Sequence, residues 1–548
     1  MGSGDYWKGL RLVELKIMDN RVFLKNKYIS YAWCLLSAFV IITICSRSSF
    51  LYAFNLWDDA NSYLTVGKCI FRGFVPYRDL FDQKGPMLYF IYGFASLISA
   101  TTFTGVYIME VLAAFASLLA ILRIYQQFLT TDIMPCIITP ITGAVIYSSW
   151  NFWWGGSAEE FLFPFVMWGM YLSVRHFRNS YPKPMDYRVV LMGGLLAGCV
   201  FNIKFSSLGF FFGWMVFVFF ADIIGSGAVK KAFASCFVFL GGMGIATIPW
   251  AVYFAANVAV YNWLYVYLYK NIFEYSKKLP LGERAYLFYD IVKNHILNNE
   301  AVFLIVFIGM VYFSVAAVVT AVRKGKAKED RGRETNDVQP AGRWMPDLGA
   351  AELINLGMLI FFLVFVLFVG GVSLPYYSFP INGFVIFGFI PFCYIIEGLI
   401  SKKTGYVIMV ISALAAFLIA WFASVNVKSM YLKAEDMFVY KFRDYILASG
   451  VEDPGIIVQF TFDVGLYTVL DVEPICYYFQ TQTLNMDEVL EYQERYLYSG
   501  EADFVVTCDY DAEGIEDRYD LVMEERCQFP YFDHTYYLYR RNGNPATK

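Results

Sequence analysis

Histidine is nearly absent from this chain. Only His176, His295 and His534 occur in 548 residues. Three such scattered residues do not make a histidine-based metal centre or catalytic triad. Charge is scarce as well: 16% of residues are charged, against 58% hydrophobic and 20% aromatic. The ten cysteines include no Cys-x-x-Cys pair. Seven of them lie in or beside apolar runs, where cysteine acts as a small hydrophobe. Cys476, Cys508 and Cys527 fall in the polar tail, and three is an odd number. Neither a disulfide framework nor a zinc site is indicated. No internal repeat, no nucleic-acid-binding basic patch and no cleavable signal peptide are visible. The first apolar run starts near Tyr31, follows a basic leader and is long enough to remain a span.

What the chain has in abundance is apolar runs long enough to cross a hydrocarbon core of about 30 Å. The expected fold class is therefore a polytopic α-helical membrane protein. Spans are read at about 31–50, 105–123, 133–149, 158–175, 188–203, 206–225, 232–255, 300–322, 351–371, 380–400 and 404–423. Basic residues mark cytoplasmic loops. The leader carries Lys8, Arg11, Lys16, Arg21, Lys25 and Lys27. Arg175, Arg178, Lys183 and Arg188 form a second basic group, Lys230 and Lys231 a third. Arg323 to Arg333 and Lys402-Lys403 complete the set. All fall inside if 86–103 is a juxtamembrane or re-entrant helix on the outer side. Eleven spans then remain, with the N-terminus inside and the C-terminus outside; twelve would put the basic loops outside. Residues 1–30 are a basic leader and 31–424 the membrane domain. Residues 425–548, rich in acid, are expected to form a small extracytoplasmic α/β domain. Within it, helices are read near 431–449 and 486–499, and strands near 455–462, 504–507 and 536–539. The stretch 324–348 reads as a charged cytoplasmic linker.

One polar island interrupts this pattern between the first two apolar segments. It contains Trp57-Asp58-Asp59-Ala60-Asn61-Ser62-Tyr63, then Gly73-Phe74-Val75-Pro76-Tyr77-Arg78-Asp79, then Asp82-Gln83-Lys84-Gly85-Pro86. Ionisable residues at a membrane boundary are costly unless they act. Asp58 and Asp59 suit the first turn of a helix, where acids are favoured. They also suit a general base that takes a proton from a hydroxyl or amine. Lys84 either snorkels to the headgroups or meets a phosphate. Arg78 either does the same or pairs with Asp79. Glu159 and Glu160 follow an aromatic-glycine loop, Trp153 to Ser157, with Ser157 placed to cap their helix. Such a loop also suits a sugar, whose apolar faces stack on rings. Asn202 and Lys204 lie at the outer end of a span, and Tyr376 and Tyr377 in an outer loop, where they are interfacial aromatics or line a cleft.

On these residues the chain resembles glycosyltransferase family 39. The resemblance rests on the Asp58-to-Tyr63 opening, the Gly73-to-Asp79 turn and the Lys84-Gly85-Pro86 re-entry. Weaker matches are the Glu159-Glu160 pair and Pro375-Tyr376-Tyr377 to Pro380. It covers roughly residues 30–400. That family includes protein O-mannosyltransferases and lipid A aminoarabinose transferases, which share the GT-C membrane fold. The resemblance implies that Asp58 is the catalytic acid, Lys84 the donor-phosphate lysine, and Glu160 or Glu159 the second acid. Tyr63, Arg78, Asn202, Lys204, Tyr376 and Tyr377 complete the expected substrate contacts. The chain departs from the family in having Lys-Gly-Pro for the commoner Lys-Pro-Pro, and Glu for Asp at the second acid.

The expected activity is inverting transfer of a sugar from a polyprenyl-phosphate carrier to an acceptor outside the cytoplasmic membrane. The acceptor is an envelope glycan, a lipid or a protein. No cofactor is required by the pattern, with a divalent cation left as an option. The rival from another class is a transporter or lipid flippase. Transporters hold polar groups at the midplane and often carry inverted repeats; here the polar residues gather at one interface. A non-catalytic anchor for the acidic domain is a third reading.

Overall fold

A computed structural model describes residues 27–330, 345–397, 402–459, 461–481, 486–509, 515–529 and 532–543. The leader residues Lys8 to Lys25 and most of the charged stretch 324–348 lie outside them.

Each apolar run of the sequence finds a helix. In chain order the helices begin α1 (Lys27–Cys45), α2 (Asp58–Ile70), α3 (Pro86–Ser96), α4 (Thr104–Phe128) and α5 (Ile133–Tyr147). They continue as α6 (Ala158–Asn179), α7 (Tyr187–Phe201), α8 (Gly209–Ser226) and α9 (Val229–Ala256). Next come α10 (Leu281–Asn298), α11 (Glu300–Asp330), α12 (Ala350–Phe368), α13 (Val385–Glu397) and α14 (Lys402–Ala423). Eight helical segments among the described residues are long and apolar enough to cross a membrane. The shorter α5 and α7, with the 22-residue α6, fill the remaining three positions read from sequence. The segment 86–103 yields α3, of 11 residues. At 1.5 Å per residue it is about 16 Å long, roughly half a hydrocarbon core. That length agrees with the juxtamembrane reading of the sequence.

The two ends of the helical body are distinct. At one end, Arg178 reaches Glu352 (3.1 Å) and Thr131 donates to Glu397 (2.7 Å), while Tyr394 donates to the Phe128 carbonyl (2.7 Å). The opposite end carries the polar island, the loop before α6, the α7–α8 turn and the loop after α12.

The C-terminal unit packs on that second end. It contains α15 (Phe438–Ala448), β1 (Ile456–Val458), α16 (Met486–Ser499), β2 (Phe504–Cys508), β3 (Tyr519–Phe529) and β4 (Phe532–Arg541). The strands form one sheet in the order β1-β2-β4-β3. β1 runs parallel to β2, with Ile456 opposite Phe504, and α16 makes the crossover that parallel pairing needs. β3 and β4 form an antiparallel hairpin on the far side, with Cys527 opposite His534. Phe438 of α15 stacks on Tyr536 of β4 at 3.9 Å, closing helix onto sheet. The helix read at 431–449 is thus shorter than expected. β3 was not foreseen in the sequence, which reads Tyr-Asp-Leu-Val-Met-Glu-Glu-Arg-Cys-Gln-Phe. It is an edge strand, and edge strands tolerate charge that masks the strand pattern.

One face of α2 joins the unit to the body. Ser62 bonds Gln480 (2.6 Å), and Thr65 bonds Asp463 (2.7 Å). Lys68 reaches the Tyr467 carbonyl, and Arg72 reaches Asp471 (2.6 Å). Residues spaced three and four apart share a helix face, so this seam is a helical stripe. Phe81 adds a backbone bond to the Tyr477 carbonyl (3.0 Å).

Candidate active site

The polar island folds as the sequence suggests, a short helix followed by a turn and a return to the membrane. Asp58 and Asp59 occupy the first turn of α2, and the Asp58 side chain accepts from the Asp59 amide (2.9 Å). Lys84 precedes Gly85, the N-cap of α3, and Pro86 opens that helix. Gly85 is required there by close approach: a Cβ would collide with the Asn202 carbonyl. Backbone bonds from Gly85 to the Ile203 carbonyl and from Met87 to the Asn202 carbonyl (both 2.9 Å) pin the return loop to the α7 terminus. Lys84 and Lys204 are thereby brought to the same place.

They meet at a cavity of about 260 Å³. Its polar wall holds Asp59, Asp82, Lys84, Lys204, Tyr376 and Tyr377. Its apolar wall comes from the end of α12 and the loop after it, including Val366, Leu367, Val369 and Val372. The C-terminal unit contributes Phe462 and Gln480.

Asp59 is the hub of the polar wall. One carboxylate oxygen accepts from Tyr63 (2.8 Å) and Tyr376 (2.7 Å) and lies 3.6 Å from the Lys84 ammonium. Burial opposes its charge, but Lys84 and the two hydroxyls hold it below the ordinary carboxylate range. Burial likewise opposes the Lys84 charge, and Asp59 and Asp82 overcome it, holding Lys84 above the usual lysine range. Asp58 behaves oppositely. Burial and the charge of Asp59 push it up to about 7. Neighbouring carboxylates in one site commonly separate in this way.

Lys204 forms an ion pair with Glu159, and its ammonium sits 3.3 Å from the centre of the Tyr377 ring. Tyr377 shares a hydrogen bond with Tyr275 (2.8 Å), another residue of the wall. Glu159 is fully buried behind this pair. The remaining candidates lie elsewhere. Glu160 accepts from the Gly156 amide (2.8 Å), and its own amide is capped by Ser157 (2.9 Å). It closes the glycine turn and does not line the cavity. The aromatic-glycine loop is likewise packed inward: Trp153 stacks on Trp154, and Arg47 covers Trp154 at 3.6 Å. Gly155 and Gly156 adopt φ of +87° and +83°, which glycine alone takes without strain. Arg78 pairs with Asp79 (2.7 Å) and donates to the Asn257 carbonyl (2.9 Å). Asn202 donates to the Gly198 carbonyl (2.7 Å) and Thr247 (3.0 Å), and tethers the end of α7. Tyr63 donates to Asp59 from behind the wall and does not line the cavity.

Several wall residues had no place among the sequence candidates: Asp82, Asn271, Tyr275, Phe462 and Gln480. Asp82 is buried, and burial pushes its carboxyl up to about 6, against the pull of Lys84. Its position two residues before Lys84 was a legible signal. The last two come from the distant C-terminal unit and had none. All ten cysteines are free. Among the described residues, Cys508, Asp509 and His534 are near enough to share a metal ion, and none of them lines the cavity.

No protein-family model and no curated protein sequence matches this chain. Solved structures do. ArnT from Cupriavidus metallidurans in the apo state superposes with a TM-score of 0.59 at 9% identity, covering 93% of this chain and 97% of that one. The same protein bound to undecaprenyl phosphate gives a TM-score of 0.56 at 10% identity, with the same coverage. The helical body has the GT-C fold. At this identity the likeness is one of architecture and reaches nearly end to end in both chains. It supports the GT-C reading of the sequence and does not single out family 39. The apo oligosaccharyltransferase of Archaeoglobus fulgidus matches more loosely, with a TM-score of 0.44 at 10% identity, covering 88% of this chain and 70% of that one.

Proposed function

We propose that this GT-C chain transfers a sugar from a polyprenyl-phosphate carrier to an acceptor, with inversion at the anomeric carbon. The observation that carries the reading is the pair Lys84 and Lys204 on one wall of a cavity whose other wall is apolar. Two cations beside aliphatic side chains fit a phosphate joined to a hydrocarbon chain. Asp59 and Glu159 hold the two ammonium groups in place. The ArnT structure that shares the fold is described as bound to undecaprenyl phosphate, which supports the same class of donor.

Asp58 is the proton acceptor in this mechanism. A base needs an oxygen free to receive a proton and a pKa near the working pH. Asp59 is the poorer base, because one of its oxygens is taken up by two hydroxyls and a lysine and its carboxyl is held low. Asp58 stands next to the wall residue Asp59 without itself lining the cavity, with a pKa pushed to about 7 and its side chain bonded to a backbone amide rather than to hydroxyls. The acceptor oxygen or nitrogen attacks the anomeric carbon, and its proton passes to Asp58. The bond from that carbon to the phosphate oxygen breaks, and the lipid phosphate leaves with the electron pair. Lys84 and Lys204 offset the charge that develops on it. Hexose or pentose transfer, and the acceptor, are set by contacts beyond this cradle.

The cavity end of the body is the outer one in this reading. Arg175, Arg178, Lys230, Lys231, Arg323 and Lys324 belong to the opposite end, and positive charge favours the cytoplasmic side. The membrane would be the cytoplasmic membrane, with residues 425–548 outside as the acceptor-facing domain. The test is binding of undecaprenyl phosphate to the purified chain, wild type against Lys84→Ala and Lys204→Ala. Saturable binding that both variants weaken supports the proposal. Binding that neither variant alters removes the phosphate cradle, and with it the proposed function.

A further inference from the structure

Among the described residues, Gln480 is the one amide that the C-terminal unit places in the cavity wall, and its orientation is fixed. Its Oε1 receives the backbone N–H of Asp463 (2.6 Å) and the Ser62 hydroxyl (2.6 Å). A backbone N–H can only donate, so the amide atom facing it is the oxygen. The amide nitrogen, with two donors, is the polar end left for the cavity. Asp463 is itself locked, accepting from Thr65 (2.7 Å) and the Gly465 amide (2.8 Å). Gln480 is therefore a preorganised donor rather than a mobile surface side chain; only 4% of it is exposed. Phe462, next to Asp463, brings an aromatic ring to the same wall.

We infer that Gln480 and Phe462 form the subsite for the transferred sugar. The amide N–H groups of Gln480 donate to a hydroxyl oxygen of the ring, and Phe462 packs against its C–H face. The inference rests on the donor class proposed above and goes beyond it. It makes the C-terminal unit part of the donor site and gives it a role in sugar selection. A neutral donor paired with a ring suits an uncharged polyol. The phosphate already has two lysines, contributed by the helical body.

The discriminating variant is Gln480→Glu. It keeps an acceptor oxygen for Ser62 and Asp463 and removes both N–H donors, so the seam stays closed while the sugar contact is lost. The probes are bare undecaprenyl phosphate and a panel of undecaprenyl-phosphate hexoses and pentoses, bound to the full chain in lipid nanodiscs. The expected result is an unchanged affinity for the bare lipid, within about two-fold, and a loss of about ten-fold on the sugared lipid that wild type prefers. That loss is the size of one hydrogen bond. Phe462→Ala, which leaves both Oε1 bonds intact, shifts the same way and serves if Gln480→Glu does not fold. Equal losses on bare and sugared lipid would assign Gln480 to the phosphate and overturn the inference. So would unaltered binding of both, or a wild-type chain that does not distinguish sugared from bare lipid; none of these touches the phosphate cradle. A wild-type chain that binds no member of the panel and no bare lipid overturns the proposed function itself, and this subsite with it.

Discussion

In the proposed mechanism two adjacent aspartates divide the work, because the chain gives them opposite surroundings: Asp59 anchors Lys84 and Asp58 takes the proton. Asp58→Asn should abolish transfer while expression and lipid binding persist, since Asn keeps the shape and cannot accept a proton. Asp59→Asn should weaken lipid binding as well as turnover, because Lys84 loses its anchor. If Asp59→Asn alone silenced transfer and Asp58→Asn did not, the roles within the pair would be exchanged. The pH profile carries a further test. The active form of Asp58 is the ionised one, and its fraction grows with pH, so kcat/KM should rise through about pH 7 and then level off. Below that point it should fall roughly ten-fold per pH unit. A profile flat from pH 5 to 8 would remove Asp58 as the base. For Lys84→Ala, a charge-assisted contact of about 1.5–3 kcal/mol implies at least a ten-fold loss in lipid affinity. Lys84, Lys204, Tyr376 and Tyr377 were legible in the sequence, because polar or aromatic residues in a membrane protein are few and spaced at segment ends. Glu160, Asn202 and Arg78 looked the same by that criterion. What separated them was which local partner each finds, and only the fold supplies that.

Among the elements, the short α3 was legible from charge alone. Charge balance across the basic loops required 86–103 not to span, and a helix of 11 residues cannot. The seam on α2 was hidden for the opposite reason. Ser62, Thr65, Lys68 and Arg72 form a polar stripe, but their partners lie about 400 residues away. No local pattern announces a contact of that range. At this scale the return loop is the sensitive point. Gly85→Ala should push the loop off the α7 terminus and move Lys84, at about 1–3 kcal/mol of overpacking cost. Gly241→Ala, in the middle of α9 with open space around it, is the control. Thermal unfolding in detergent should separate the two, with Gly85→Ala lower and less active. Equal unfolding midpoints and equal activity would show that the close approach at Gly85 is not needed.

For the whole molecule, the helical membrane body was legible because apolar length is a global signal, whereas its GT-C fold was expected only through the resemblance carried by the first-loop motifs. The C-terminal unit was readable as mixed helices and strands, while its edge strand and its two cavity residues were not. Charge on an exposed edge hides alternation, and cavity lining by a distant unit leaves no spacing to read. The unit sits on the cavity end, so its side of the membrane fixes the side of the chemistry. A C-terminal reporter that works only outside the cytoplasm should be active; activity of a cytoplasm-only reporter would invert the orientation. The most direct measurement is of the reaction itself. The purified chain is incubated with undecaprenyl-phosphate sugars and a cell-envelope extract as acceptor, and released undecaprenyl phosphate is quantified beside Asp58→Asn. The account predicts release from one sugared lipid by wild type, matched by sugar appearing on the acceptor, and release by Asp58→Asn at the level of the protein-free control. Equal release by both proteins, or lipid moved across the bilayer with its sugar still attached, would contradict it.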